Sequence, residues 1–140
     1  MPAKPVPVPD EQSAAFWAAA ANHVLALARC AHCGTYVHPP GVVCPGCLST
    51  DGQFAFVPVS GRGTVRSWTV LRDSFLPGFR DDVPFVLVDV ELDEQAELRL
   101  IGRLVDGPEA PLRIGDRVTT VFDSLAPGVA VPAFALEVQS

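Results

Sequence analysis

Cys30-Ala31-His32-Cys33 and Cys44-Pro45-Gly46-Cys47 hold all four cysteines of the chain, as two C-x-x-C knuckles with ten residues between them. Each knuckle is a tight turn that offers two sulfurs on one side, so the pair presents four thiolates about a tetrahedral metal, with turn N–H groups to help neutralise them. Gly34 after the first knuckle and Pro45-Gly46 inside the second are residues such turns need. The spacing points to Zn2+ ahead of disulfides, redox chemistry or iron. His32 and His38 lie in the same stretch, but four thiolates already complete a tetrahedron. A closed four-sulfur site leaves no position for water, so the ion expected here is structural, one per chain. A segment this short cannot build its own core; in comparable peptides zinc supplies about 10–16 kcal/mol of apparent folding free energy.

The chain has 140 residues, of which 49% are hydrophobic and 19% charged, enough apolar material for one medium domain or a small module joined to a compact one. Its formal charge is -6, and Lys4 is its single lysine. That balance disfavours a nucleic-acid binder, which needs a positive footprint. The longest apolar stretch, Ala14 to Ala28, is alanine-rich and interrupted by Asn22 and His23, too short for a bilayer span and so pointing away from a membrane. The opening MPAKPVPVPDEQ carries prolines where an export signal needs an apolar run. A cytoplasmic protein with reduced thiols is therefore expected.

Residues 1–9, with Pro2, Pro5, Pro7 and Pro9, read as an extended, mobile arm. Asp10 or Ser13 can cap an alanine-rich helix from Glu11 to Asn22. Phe16 and Trp17 are its large side chains; they either anchor it to the body of the protein or dock on a partner subunit. Alternation from His23 to Arg29 reads as a short strand into Cys30. Six further strand-like runs follow, at Phe54–Val59, Thr64–Leu71, Phe85–Leu92, Leu98–Val105, Arg117–Phe122 and Val131–Val138, separated by turn signals such as Gly61-Arg62-Gly63 and Ile114-Gly115-Asp116. The 14 prolines and 11 glycines suit such a strand-and-turn chain. A small closed or nearly closed barrel is expected, with a β-sandwich as the alternative.

Catalytic signatures are sparse. No nucleophile elbow, phosphate-cradling glycine loop or HExxH run occurs in the chain. His23 reads as structural, and Tyr36 has no evident base. Seven acids between Asp81 and Glu97 (Asp81, Asp82, Asp89, Glu91, Asp93, Glu94, Glu97) show no spacing that singles out a dyad. Arg62, Arg66, Arg72 and Arg80 form a stretch interrupted by one acid, Asp73. On a regular strand Arg66 shares a face with Trp68 and Val70. These arginines read either as a cradle for an acyl-CoA ligand or as surface cations paired with the acidic block. Phe75, Leu76 and Phe79 sit among turn formers in the loop before Pro84; they suit a surface for an acyl chain or a protein neighbour, or a loop folded over the barrel end.

A combination of motifs carries a family resemblance: Phe16-Trp17, Leu27-Ala28-Arg29-Cys30 with Cys33-Gly34, Pro39-Pro40 before Cys44-Pro45 and Cys47, Ser60-Gly61-Arg62-Gly63-Thr64-Val65, Pro84-Phe85, and Ile114-Gly115-Asp116-Arg117-Val118. From about residue 13 to 138 the chain resembles the acyl-CoA-associated proteins that join a rubredoxin-like zinc ribbon to an OB-fold barrel, long catalogued as a domain of unknown function. The resemblance implies a mainly β protein with an N-terminal helix (10–22), a zinc ribbon (23–52) and a C-terminal OB-fold β-barrel (53–140), following the arm (1–9). It also implies an accessory subunit that stabilises a thiolase-fold enzyme, such as a lipid-transfer-protein-like thiolase or aldolase, a ketosynthase-like synthase or an acyltransferase assembly. Such a subunit helps to shape the partner's acyl-CoA channel and leaves the chemistry to the partner; some relatives work beside hotdog-fold enoyl-CoA hydratases. Two competing functions remain open at this point: single-stranded nucleic-acid binding and a free-standing enzyme using acyl-CoA.

Overall fold

A computed structural model describes residues 4–137. Asp10 opens the first element. Its carboxylate Oδ1 accepts from the Ser13 N–H at 2.8 Å, while the Asp10 N–H donates to Ser13 Oγ at 3.1 Å, the reciprocal arrangement of a capping box. Helix α1 follows at Ala14–Ala21, shorter than the expected Glu11–Asn22 because residues 11–13 form the capping turn. The Val24 N–H reaches the Ala19 carbonyl at 3.0 Å and the His23 N–H reaches Ala20 at 2.9 Å. With His23 at φ 60, this is a Schellman stop with histidine in the place usually taken by glycine. The His23 ring stacks on Phe122, centroids 5.5 Å apart, so that histidine ends a helix.

Eight strands follow: β1 Ala26–Cys30, β2 Tyr36–Val37, β3 Phe54–Pro58, β4 Arg62–Leu71, β5 Phe85–Leu92, β6 Arg99–Leu104, β7 Arg117–Ala126 and β8 Val129–Leu136. The closed barrel runs β4-β5-β6-β8-β7 and returns to β4. Its β6–β8 pair is parallel and its other pairs are antiparallel. The strand expected over 54–59 forms, but it leaves the barrel and pairs with β1 from Ala26↔Pro58 to Cys30↔Phe54. The three-stranded sheet is thus β2-β1-β3. β7 and β8 form a longer hairpin than expected, turning at Gly128 (φ 74); the expected end of β8 at Val138 lies outside the described residues, as do residues 1–3 of the arm.

β5 shows why the barrel closes. Val86, Val88, Val90 and Leu92 are buried on one face and meet Val65, Leu100, Leu104, Val118 and Phe134 in one cluster. Phe16 of α1 and Leu25 and Leu27 of the β1 segment belong to that same cluster, so helix, ribbon sheet and barrel share a core. Phe16 is buried within it and anchors α1. The SGRGTV run acquires a physical reason here. Gly61 turns at φ 77, its carbonyl held by the Thr120 N–H at 2.8 Å and hydroxyl at 2.7 Å. Gly63 lies so close to β5 that a Cβ would stand 2.5 Å from the Glu91 carbonyl oxygen.

Candidate metal centre and docking surfaces

The two knuckles repeat one backbone pattern. In the first, the Cys30 N–H bonds to the Thr35 carbonyl (2.8 Å) and the Gly34 N–H to the Cys30 carbonyl (3.0 Å). In the second, the Cys44 N–H bonds to Ser49 (3.0 Å) and the Leu48 N–H to Cys44 (2.8 Å). Gly34 (φ 76) and Leu48 (φ 64) occupy the same left-handed position. β1 delivers Cys30 at its last residue, and Cys30 and Cys44 are buried while Cys33 and Cys47 face outward. All four sulfurs lie within 4.8 Å of one another, with Cys30–Cys47 at 3.8 Å and Cys33–Cys44 at 3.6 Å. Sulfurs bound tetrahedrally at a zinc–sulfur distance of about 2.3 Å stand about 3.8 Å apart, so the donor set fits that ion. Gly46 keeps the knuckles close, since a Cβ there would lie 2.5 Å from Thr35 Oγ1 and 3.3 Å from Cys33 Sγ.

The thiols differ in character. The Thr35 hydroxyl, 3.1 Å from Cys33 Sγ, and then the Thr35 N–H bring Cys33 down to about 6. The N–H groups of Cys33 and His32 lower Cys30. At Cys44 the Cys47 N–H favours the thiolate, but burial and the neighbouring sulfurs outweigh it and push the thiol up to about 11. Four adjacent sulfurs resist common ionisation unless a cation joins them. The two histidines of the segment stand apart from the cluster. His32 Nε2 is 2.6 Å from Asp51 Oδ2, a pairing that holds the Asp51 carboxyl below its usual range, and His38 stacks on Phe16 with centroids 5.5 Å apart.

Gln95 joins the ribbon to the barrel. Its Oε1 accepts from the Tyr36 N–H and its Nε2 donates to the Tyr36 carbonyl, both at 2.9 Å, so one side chain pairs with β2 as a strand would. The arm, expected to be mobile, is held at Lys4, while Pro5, Val6, Val8 and Pro9 are exposed. Lys4 Nζ lies 2.7 Å from Asp82 and 5.1 Å from the Phe79 ring centroid, and its backbone packs against Gly78. Neither residue carries a sequence motif; Gln95 and Tyr36 are 59 positions apart.

The arginines separate. A bulge between Val65 and Ser67 shifts the register so that Ser67 opposes Asp89 and Trp68 opposes Val88; Arg66 therefore does not share the Trp68–Val70 face expected of a regular strand. Arg66 pairs with Glu91 (3.1 Å) and Glu97 (3.7 Å), and Arg62 with Glu137 (3.1 Å). Arg62 and Arg72 stand at opposite ends of β4, roughly 30 Å apart along the strand, so the four arginines do not form one cradle. Arg72 and Arg80 are exposed at the loop end. There Phe75 is 89% and Leu76 56% exposed, whereas Phe79 turns inward onto Phe85, 5.9 Å between centroids. The acids are mostly engaged: Asp82 with Lys4 and Arg103, Asp89 with Arg99, and Asp93 with both terminal nitrogens of Arg117 at 2.7 and 2.6 Å. Glu94 accepts from the Ser60 N–H at 2.8 Å.

Sequence families match both parts of this architecture: "ChsH2, rubredoxin-like zinc ribbon domain" over residues 17–51 and "ChsH2, C-terminal OB-fold domain" over residues 56–123. A "DUF35 domain-containing scaffold protein" of Methanothermobacter thermautotrophicus is 33% identical over 94 residues, covering 67% of this chain and 68% of the relative. The chain belongs to the DUF35 family. Among solved structures, this DUF35 chain is similar to one described as "Ltp2-ChsH2(DUF35) aldolase", with a TM-score of 0.79 at 32% identity over 93% of this chain and 98% of that one. A "Probable enoyl-CoA hydratase alpha subunit" of Thermomonospora curvata is 34% identical over 131 residues. A "3-oxo-4,17-pregnadiene-20-carboxyl-CoA hydratase alpha subunit" of Mycobacterium tuberculosis is 34% identical over 121 residues. The DUF35 chain spans 39% and 35% of these two relatives' lengths.

Proposed function

We propose that this chain is a non-catalytic accessory subunit of a thiolase-fold enzyme that acts on acyl-CoA substrates, and that Cys30, Cys33, Cys44 and Cys47 hold one structural zinc. The observation that carries the first part is the likeness, over 93% of this chain and 98% of that one, to the chain in the "Ltp2-ChsH2(DUF35) aldolase" structure. The mutual closeness of four sulfurs on two matching knuckles supports the second. Zinc, when bound, supplies cross-linking rather than reactivity, because the four thiolates fill its coordination. Around it the chain's residues do the positioning: the knuckle N–H groups orient the sulfurs, and Gln95 fixes the ribbon on the barrel. Phe75 and Leu76 present apolar surface to the partner, with Arg72 and Arg80 beside them for the phosphates of an acyl-CoA.

Purification of the chain from its native source tests this reading. A thiolase-fold enzyme is expected to co-elute, with one zinc per chain; a chain that elutes alone refutes the accessory role. The hydratase alpha subunits among the relatives favour a second reading, in which a hotdog-fold enoyl-CoA hydratase shares the assembly. The identity of the co-eluting enzyme separates the two.

A further inference from the structure

β4 is paired on both sides for only half its length. From Arg62 to Thr64 it is bonded to β7 as well as running beside β5. The Val65 N–H still reaches the Asp116 carbonyl at 2.9 Å, and the Gly115 N–H reaches the Val65 carbonyl at 2.8 Å. From Arg66 to Leu71 its one strand neighbour is β5, and among the described residues no backbone bond reaches it from the other side. Alternate N–H and carbonyl groups along that half-strand therefore face outward unpaired. Trp68 shows what is missing. It opposes Val88, and Val70 opposes Val86; cross-strand partners share a face, and both of the β5 valines are buried in the barrel core. Trp68 thus stands on the core-facing side of β4 and is nevertheless 41% exposed, because no strand lies beside it there.

An open sheet edge is a hazard that folds ordinarily guard. β3 carries Pro58, β2 is 2 residues long and bonded to Gln95, and β7 carries Asp123 beyond its last pair with β4. Ser67–Leu71 has no charge, proline or glycine, and its aromatic and β-branched residues suit a strand interface. Arg66 and Arg72 bracket it. An antiparallel second copy would set these arginines against each other, so the bracket opposes self-pairing and leaves the edge to a different strand. The open groups specify what they accept: the backbone of an extended segment, whose side chains alternate between the two faces. β4 also runs directly into the loop that presents exposed Phe75 and Leu76 to the partner, so one surface continues into the other. We propose that an extended segment of the partner subunit adds a strand to β4 along Arg66–Leu71, with an apolar side chain covering Trp68 and no cation opposite the two arginines. The proposal rests on the accessory-subunit reading and adds a backbone-paired edge to the Phe75 loop.

The test compares amide exchange along β4 in the full chain, free and in complex with the co-eluting enzyme. In the free chain the amides that face β5 should exchange slowly and the alternate ones between Arg66 and Leu71 rapidly. In the complex that rapid set is expected to slow at least about tenfold. Trp68→Lys places a charge where the added strand would bury it and should weaken the complex at least about tenfold. Trp68→Phe, which keeps an apolar ring, should retain most of the affinity. Exchange along β4 that is unaltered in a complex that does form overturns the proposal, whatever the two variants do. Protection that appears in the chain alone as its concentration rises, with a dimer in sedimentation, assigns the edge to a second copy and also overturns it. A chain that elutes alone fails the accessory reading and takes this proposal with it, whereas a complex with an open β4 edge fails this proposal alone.

Discussion

Gly63 and Gln95 carry two different kinds of constraint at the scale of single residues. Gly63 is excluded from substitution by sterics: a Cβ would stand 2.5 Å from both the Glu91 carbonyl oxygen and Val90 Cγ1. Gly63→Ala should therefore force β4 from β5 and cost about 3 kcal/mol, at the upper end for overpacking, read as a lower denaturation midpoint. Gln95 has no such conflict; its work is the two-point bond to Tyr36. Gln95→Ala should leave the barrel folded and loosen the ribbon, seen as faster amide exchange at Tyr36 and Val37 with little change at β5. The glycine was visible in the SGRGTV motif. The glutamine was not, because a bond across 59 residues leaves no local pattern.

At the scale of elements, the ribbon and the barrel draw on different sources of stability. The segment from Cys30 to Ser49 contributes little to the core apart from its cysteines, while the barrel strands bury theirs on one another. A chelator strong enough to compete for four-thiolate zinc should release one ion per chain and remove amide dispersion over residues 30–49. The β4–β8 resonances should survive. The loop from Asp73 to Val83 divides by side chain: Phe79 closes on the barrel, and Phe75 and Leu76 project. Phe75→Ser with Leu76→Ser should weaken the partner complex at least tenfold without lowering the isolated chain's melting temperature, measured by titration calorimetry and thermal scans. The bulge at Arg66 belongs to this scale too. One extra residue reverses the face of the positions after it, so alternation read from the sequence places Arg66 beside Trp68, and the register does not.

Over the whole molecule, nine basic residues are arginines and the acids outnumber the bases 16 to 10, so pH acts mainly through carboxylates held by arginine or lysine. The Arg117 hydrogen bonds lower the Asp93 pKa, and those of Lys4 and Arg103 lower Asp82. A carboxyl with a depressed folded pKa adds stability above its unfolded value and loses it as pH falls through the folded one. The melting temperature should therefore stay level from pH 7 to about 5 and fall below about 4. Asp93→Asn should flatten that fall, by no more than about 1 kcal/mol because the pair is solvent-screened.

Composition, knuckle spacing and turn residues were enough to determine a mainly β chain with a helix before a four-sulfur cluster, because those signals are local and depend on residue type. Strand positions followed the same logic, and β5 falls where alternation places it. Which sheet takes β3, which way Arg66 faces, where Lys4 ties the arm and which half of β4 stays unpaired were decided only in three dimensions. Each depends on a pairing between segments distant in sequence, whose free energy exists only once the shared core brings them together.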